Sequence, residues 1–154
     1  NKIKLNKSKT KYFINKYYMP DIQNQFSKNL LSIATSSMDI SDGLITDLNK
    51  LINKQNVSYK IYEKFIPVSR NLNNLINSKN LKKIDLVSNG DDYQILFTAK
   101  PNKARIIKKL SKSLGVKISK IGTILSGKNK SLILDQKGRE IAINVDGYIH
   151  QFWS

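Results

Sequence analysis

Apolar positions fall in short, separated bursts whose spacing predicts a mixture of helices and strands. After Gly43, Leu44, Ile45, Leu48, Leu51 and Ile52 recur at helical offsets and form a single apolar face, predicting a helix over 42–53. The segment 35–40 before it reads as a strand. Upstream, Tyr12, Phe13, Ile14, Tyr17 and Tyr18 predict a helix over 8–18 that packs an aromatic face on the core and is ended by Pro20. A second helix is expected over 25–33, with Phe26, Leu30, Leu31 and Ile33 inward. Val57 to Tyr62 largely alternates apolar and polar, a strand pattern. Leu72, Leu75 and Ile76 predict a helix over 71–76, followed by a polar loop over 77–83 that runs into a short helix or strand.

Gly90 permits an irregular turn, and Tyr93, Ile95 and Phe97 then alternate with Gln94, Leu96 and Thr98 as a strand. Pro101 opens a helix at a favoured position. Ile106, Ile107, Leu110 and Leu114 are expected to face inward, with Lys103, Lys108, Lys109 and Lys112 in solvent and Gly115 as the stop. A strand over 117–125 follows, and then a hairpin of 132–134 with 141–145 around residues 135–138. The sum is an α+β domain in which a mixed sheet carries helices mainly on one face. At 154 residues the chain fits one domain with a real core.

Composition changes this picture in three ways. The chain has no Cys, so it carries neither a disulfide framework nor a thiolate site. No apolar run approaches the roughly 20 residues that span a bilayer, so no membrane partner is expected and the expected location is the cytoplasm. The net charge is +16, which directs attention to nucleic acid. Yet among the 27 basic residues only Arg70, Arg105 and Arg139 are the bidentate phosphate readers. The remainder are dispersed Lys among Asn and Ile, so nucleic-acid binding is not expected as the main function. Acidic residues number only 11, and four of them stand in two short motifs, at 39, 42, 91 and 92.

The first motif, Asp39-Ile40-Ser41-Asp42-Gly43-Leu44, lies at a strand-to-helix junction. Helix starts offer backbone N–H groups that suit phosphate, and two carboxylates beside them suit Mg²⁺, which is usually held by one or two carboxylates plus substrate phosphates. The same residue types also make an ordinary N-cap, with Ser41 or Asp42 capping. The second motif is Ser88-Asn89-Gly90-Asp91-Asp92-Tyr93-Gln94-Ile95-Leu96-Phe97-Thr98. Ile121-Gly122 and Gly147-Tyr148-Ile149-His150 follow in order.

Together these four segments resemble the C-terminal half of the thiamine-monophosphate kinase family over about residues 10 to 150. The family pattern reads D-[IV]-S-D-G-L, then S-G-G-E-D-Y-E-L-L-F-T, then I-G, then G-[YFW]-x-H-F. The resemblance implies a fold like the C-terminal domain of the aminoimidazole ribonucleotide synthetase superfamily. It implies that 1–154 is a single domain, the C-terminal half of a longer two-domain kinase whose own N-terminal ATP-binding domain lies outside this chain and supplies a homodimer interface. The implied reaction moves the γ-phosphoryl group of Mg²⁺-ATP to thiamine monophosphate, giving thiamine diphosphate. By the same resemblance Asp39 and Asp42 bind Mg²⁺, Ser41 contacts ATP, and Asp91, where the family has Glu, contacts the thiamine substrate. Phe152 or Trp153 supplies an aromatic contact to the substrate, Phe152 with a one-residue shift because Gln151 follows His150. His150 is read as structural. Such phosphoryl transfer depends on positioning and charge neutralisation rather than on a covalent nucleophile. Two other readings stay open: a superfamily relative with another phosphate acceptor, and a basic, non-catalytic binding module.

Overall fold

The computed structural model describes residues 3–88, 93–127 and 129–142. Its described elements are seven α-helices, five strands and two short 3-10 turns. The α+β class stands, but the single expected sheet is two. Strand β1 (Ser36–Asp39) pairs antiparallel with β3 (Ile95–Thr98), in the register Ser36 to Thr98 through Asp39 to Ile95. Strand β2 (Val57–Tyr62) lies at the centre of a mixed sheet, antiparallel to β4 (Gly122–Ser126) and parallel to β5 (Leu132–Leu134). The expected strand over 117–125 begins only at Gly122, whose missing side chain lets the backbone of Lys60 and Ile61 come close. The turn after β5 forms as expected. Asp135 Oδ1 accepts from the N–H groups of Lys137 and Arg139, and Ile141 N–H donates to Ile133 O at 2.8 Å. Residues 143–145 of that hairpin lie outside the described residues.

Helix α4 (Leu44–Leu51) organises the core. Leu44, Ile45 and Leu48 are buried against Tyr59 and Ile61 of β2, Ile133 of β5, Leu96 of β3, and Ile84 and Val87 of α6 (Lys83–Val87). A fully buried Leu or Ile contributes about 1.5–3 kcal/mol, so this one face accounts for much of what holds the elements together. Helix α5 (Arg70–Lys79) is longer than its apolar spacing indicates. Ser69 Oγ accepts from Leu72 N–H at its start, and Asn80 ends it in the left-handed conformation.

Three further expectations fail. Helix α1 (Lys7–Tyr18) forms, but none of its residues is buried, and Tyr17 and Tyr18 are 59% and 75% exposed. Its aromatics are sequence neighbours, which point to different sides of a helix. They pair edge-on with each other, Tyr12 with Phe13 and Tyr17 with Tyr18, instead of with the core. The helix expected over 25–33 is two short ones, α2 (Asn24–Ser27) and α3 (Leu30–Ile33). Ser27, Asn29 and Ser32 turn their side chains onto nearby backbone carbonyls and compete with a continuous helix. Phe26 and Ile33 are buried as expected, whereas Leu31 is 98% exposed. In α7 (Ala104–Leu114), Ile107, Leu110 and Leu114 are only half-buried and Ile106 is exposed, because the helix leans on α2 at the edge of the domain.

Candidate functional site

The loop 39–43 connects β1 to α4, and its shape follows from a glycine. Gly43 has φ +114 and ψ 148, a conformation that side chains rarely adopt. A Cβ there would stand 2.2 Å from Ser88 O and 2.6 Å from Ser88 C. The loop therefore presses directly on the backbone at the end of α6, where the second acidic motif begins. On the far side of that motif, Tyr93 N–H donates to Ile40 O and Ile40 N–H donates to Gln94 O, both at 2.9 Å. Residues 88 and 93 thus both lie against loop 39–43, so the two motifs found in the sequence are neighbours in space. Asp91 and Asp92, between those anchors, lie outside the described residues, as do Phe152, Trp153 and His150.

Within the loop, Asp39 and Ser41 are exposed, and the Asp42 side chain is about 20% exposed. The alternative of an ordinary N-cap does not hold: α4 starts after Gly43, with no side-chain cap from Ser41 or Asp42. Nor are all the backbone N–H groups of the loop left for a phosphate. Those of Ser41 and Asp42 donate to Asp47 Oδ2, at 2.8 and 2.9 Å. Asp47 is completely buried on α4. Its other oxygen accepts from Lys50 Nζ at 3.0 Å, and the same ammonium contacts the Asp42 carboxylate.

This arrangement sets the charges. Burial pushes the Asp47 carboxyl up, but the Lys50 ammonium and the N–H groups of Asp42 and Ser41 together outweigh it and hold the carboxyl below its usual range. Lys50 is raised above its usual value, first by its hydrogen bond to Asp42 and then by that to Asp47. Asp47 and Lys50 were not singled out from the sequence. A signal existed: Asp47 falls on the apolar face of α4, three residues after Leu44, and a carboxylate there must be bonded to be tolerated.

The donor set fits a hard divalent cation. Two carboxylates stand on one short loop, and a lysine ammonium already occupies one of them, as a cation would. Among the described residues no group of three or more His, Cys, Asp or Glu could hold a metal ion by itself. Phosphate oxygens and water would have to complete the shell, as is usual for Mg²⁺.

Comparison with known proteins gives the family and the fold. Residues 20–135 match the family described as AIR synthase related protein, C-terminal domain. The thiamine-monophosphate kinase of Buchnera aphidicola subsp. Schizaphis graminum is 33% identical over 148 residues, covering 90% of this chain and 42% of the relative. The crystal structure of thiamine-monophosphate kinase from Stenotrophomonas maltophilia K279a superposes with a TM-score of 0.73 at 23% identity, over 90% of this chain and 42% of that one. AaThiL complexed with AMPPCP and TMP superposes with a TM-score of 0.71, also at 23% identity, over 97% of this chain and 44% of that one. The chain spans well under half the length of the curated relatives it matches.

Proposed function

The chain belongs to the family of AIR synthase related proteins, by their C-terminal domain, and on that premise we propose that it is the C-terminal half of a two-domain kinase that phosphorylates thiamine monophosphate with ATP. The observation that carries the proposal is the contact of loop 39–43 with residues 88 and 93, the described residues on either side of Asp91 and Asp92. The relatives named as thiamine-monophosphate kinases support the choice of acceptor.

In this reading Asp39 and Asp42 hold Mg²⁺, Ser41 contacts ATP, and Asp91 and Phe152 contact the thiamine substrate. Mg²⁺ supplies neutralisation of the charge on the phosphates. The work of the chain itself is positional. Gly43 lets the loop approach Ser88. Ile40 ties β1 to the segment after Asp92, and Lys50 neutralises the carboxylate of Asp42 when no cation is there. The attacking group is a phosphate oxygen of the substrate, so no strong general base is required. The N-terminal domain of the parent protein supplies the rest of the ATP site and the homodimer interface, and the enzyme works in the cytoplasm. Among the described residues no helix is long and apolar enough to cross a membrane.

The test is ADP release by the full-length parent protein with Mg²⁺-ATP, with and without thiamine monophosphate. Release should depend on thiamine monophosphate and fall at least about 100-fold in Asp42→Asn, the scale expected when a preorganised charge contact is lost. Release that ignores thiamine monophosphate refutes the acceptor. Turnover by the 154-residue chain alone refutes the division of the site between two domains.

A further inference from the structure

Asp47 is buried completely, and while one carboxylate oxygen pairs with Lys50 on α4 itself, the other bonds wholly outside the helix. Helix caps satisfy the first N–H groups of their own helix. Asp47 instead reaches backward past the helix start, and its Oδ2 accepts from the N–H groups of Ser41 and Asp42. The peptide joining Ile40 to Ser41 is consequently held at both ends. Its N–H goes to Asp47 on α4, and its carbonyl, Ile40 O, accepts from Tyr93 N–H at 2.9 Å, just beyond the second motif. A peptide bonded on both edges is held against rotation, and with the Asp42 N–H bonded to the same carboxylate the backbone that carries the Ser41 and Asp42 side chains is fixed.

We propose that Asp47 is the positioning residue of loop 39–43. Without touching ligand, it orients Ser41 and Asp42 to receive a divalent cation and a nucleotide phosphate. What the loop binds rests on the kinase reading; the clamp itself does not. A purely structural role for Asp47 predicts that its loss weakens the domain while leaving the orientation of the loop, and the affinity of the folded protein, unchanged.

The test compares Asp47→Ala with Asp47→Asn in the full-length parent protein. Asn keeps a carbonyl oxygen for the two N–H groups, and Ala keeps nothing. Three quantities are read: amide hydrogen exchange at residues 41 and 42, Mg²⁺-dependent ADP affinity by calorimetry, and the kinetic constants for ATP and for thiamine monophosphate. In Ala, exchange at 41 and 42 should quicken and Mg²⁺-ADP affinity should fall about 10- to 100-fold, the loss typical of outer-shell partners of metal ligands. KM for ATP should rise in Ala while KM for thiamine monophosphate stays put, and Asn should restore most of the loss. Wild-type affinity in folded Ala overturns the proposal, as does an equal loss in Ala and Asn with unchanged exchange at 41 and 42. If Ala does not fold, Asp47→Glu replaces it, because the longer side chain keeps the charge but misplaces the acceptor. A folded Glu variant that loses affinity while Asn keeps it supports the clamp, and equal affinity in both overturns it. If the wild type ignores thiamine monophosphate, the kinase reading fails, yet exchange at 41 and 42 still decides for or against Asp47.

Discussion

Replacing Gly43 by alanine should damage this protein more than any other glycine-to-alanine change at a positive φ among the described residues. Two costs coincide there. The backbone conformation, φ +114 with ψ 148, is one that costs a non-glycine residue about 1–3 kcal/mol. The new Cβ would also stand 2.2 Å from Ser88 O, where contacts under 3.0 Å essentially never occur. Relief requires nearly a full ångström of movement by backbone, either in the loop or at the end of α6. Overpacking of that kind costs typically about 1–3 kcal/mol. The sum, about 2–6 kcal/mol, is large beside a total stability of about 5–15 kcal/mol. Gly115 and Gly138 provide the control: both have positive φ, +63 and +79, and nothing lies within 4 Å of a Cβ built on either. Their alanine variants should lose only the conformational part. Urea denaturation of the three variants separates the two costs. With m of about 1–3 kcal/mol/M, the midpoint of Gly43→Ala should fall by about 1 M or more, and well beyond that of Gly115→Ala. Midpoints that are equal within error would refute the close packing of the two motifs.

Other outcomes follow from the charges around Asp47. Its folded carboxyl lies below its usual value, so it contributes stability that is present above the unfolded value of about 3.9 and lost as pH falls through the folded one. The urea midpoint of the wild type should therefore drop below about pH 4, and Asp47→Asn should flatten that drop; a variant with the same acid limb as the wild type would contradict it. Lys50 is raised, so its contribution is complete below the unfolded value of about 10.4 and fades as pH rises through the folded one; Lys50→Met should abolish that alkaline loss. Lys50→Met should also cost about 1 kcal/mol at neutral pH, a modest figure because the side chain is half-exposed. Mg²⁺ should then raise its melting temperature more than that of the wild type, because Asp42 is freed; an identical Mg²⁺ response would argue against a cation at that carboxylate.

What could be read from the sequence divides by range. Elements with strong local periodicity emerged where expected. The helix after Gly43 and the strand 57–62 carry patterns that tertiary context reinforces, the strand expected over 93–98 forms over 95–98, and the D-x-S-D loop sits at a strand-to-helix junction as its neighbours indicated. The misses arise where partners distant in sequence decide. Two sheets in place of one, the exposed aromatics of α1 and the half-exposed face of α7 all depend on which surfaces meet. Periodicity marks an apolar face but does not say whether anything covers it. In the site, the acidic pairs were visible as residues. The brace from Asp47 was not, because an acid on an apolar helix face reads as an exception until its two N–H partners are in place.

The ladder between β1 and β3 has a consequence for the protein while it is being made. Ser36 and Thr98 are 62 positions apart, and the loop with Asp39 and Asp42 takes its full shape from that pairing and from Ser88 and Tyr93 as well as from Asp47. A ribosome adding about 5–20 residues per second needs about 3–12 s to go from one strand to the other. For that interval the emerging chain holds its first acidic motif without the strand that frames it, so the loop reaches its folded shape only after Thr98 has cleared the exit tunnel.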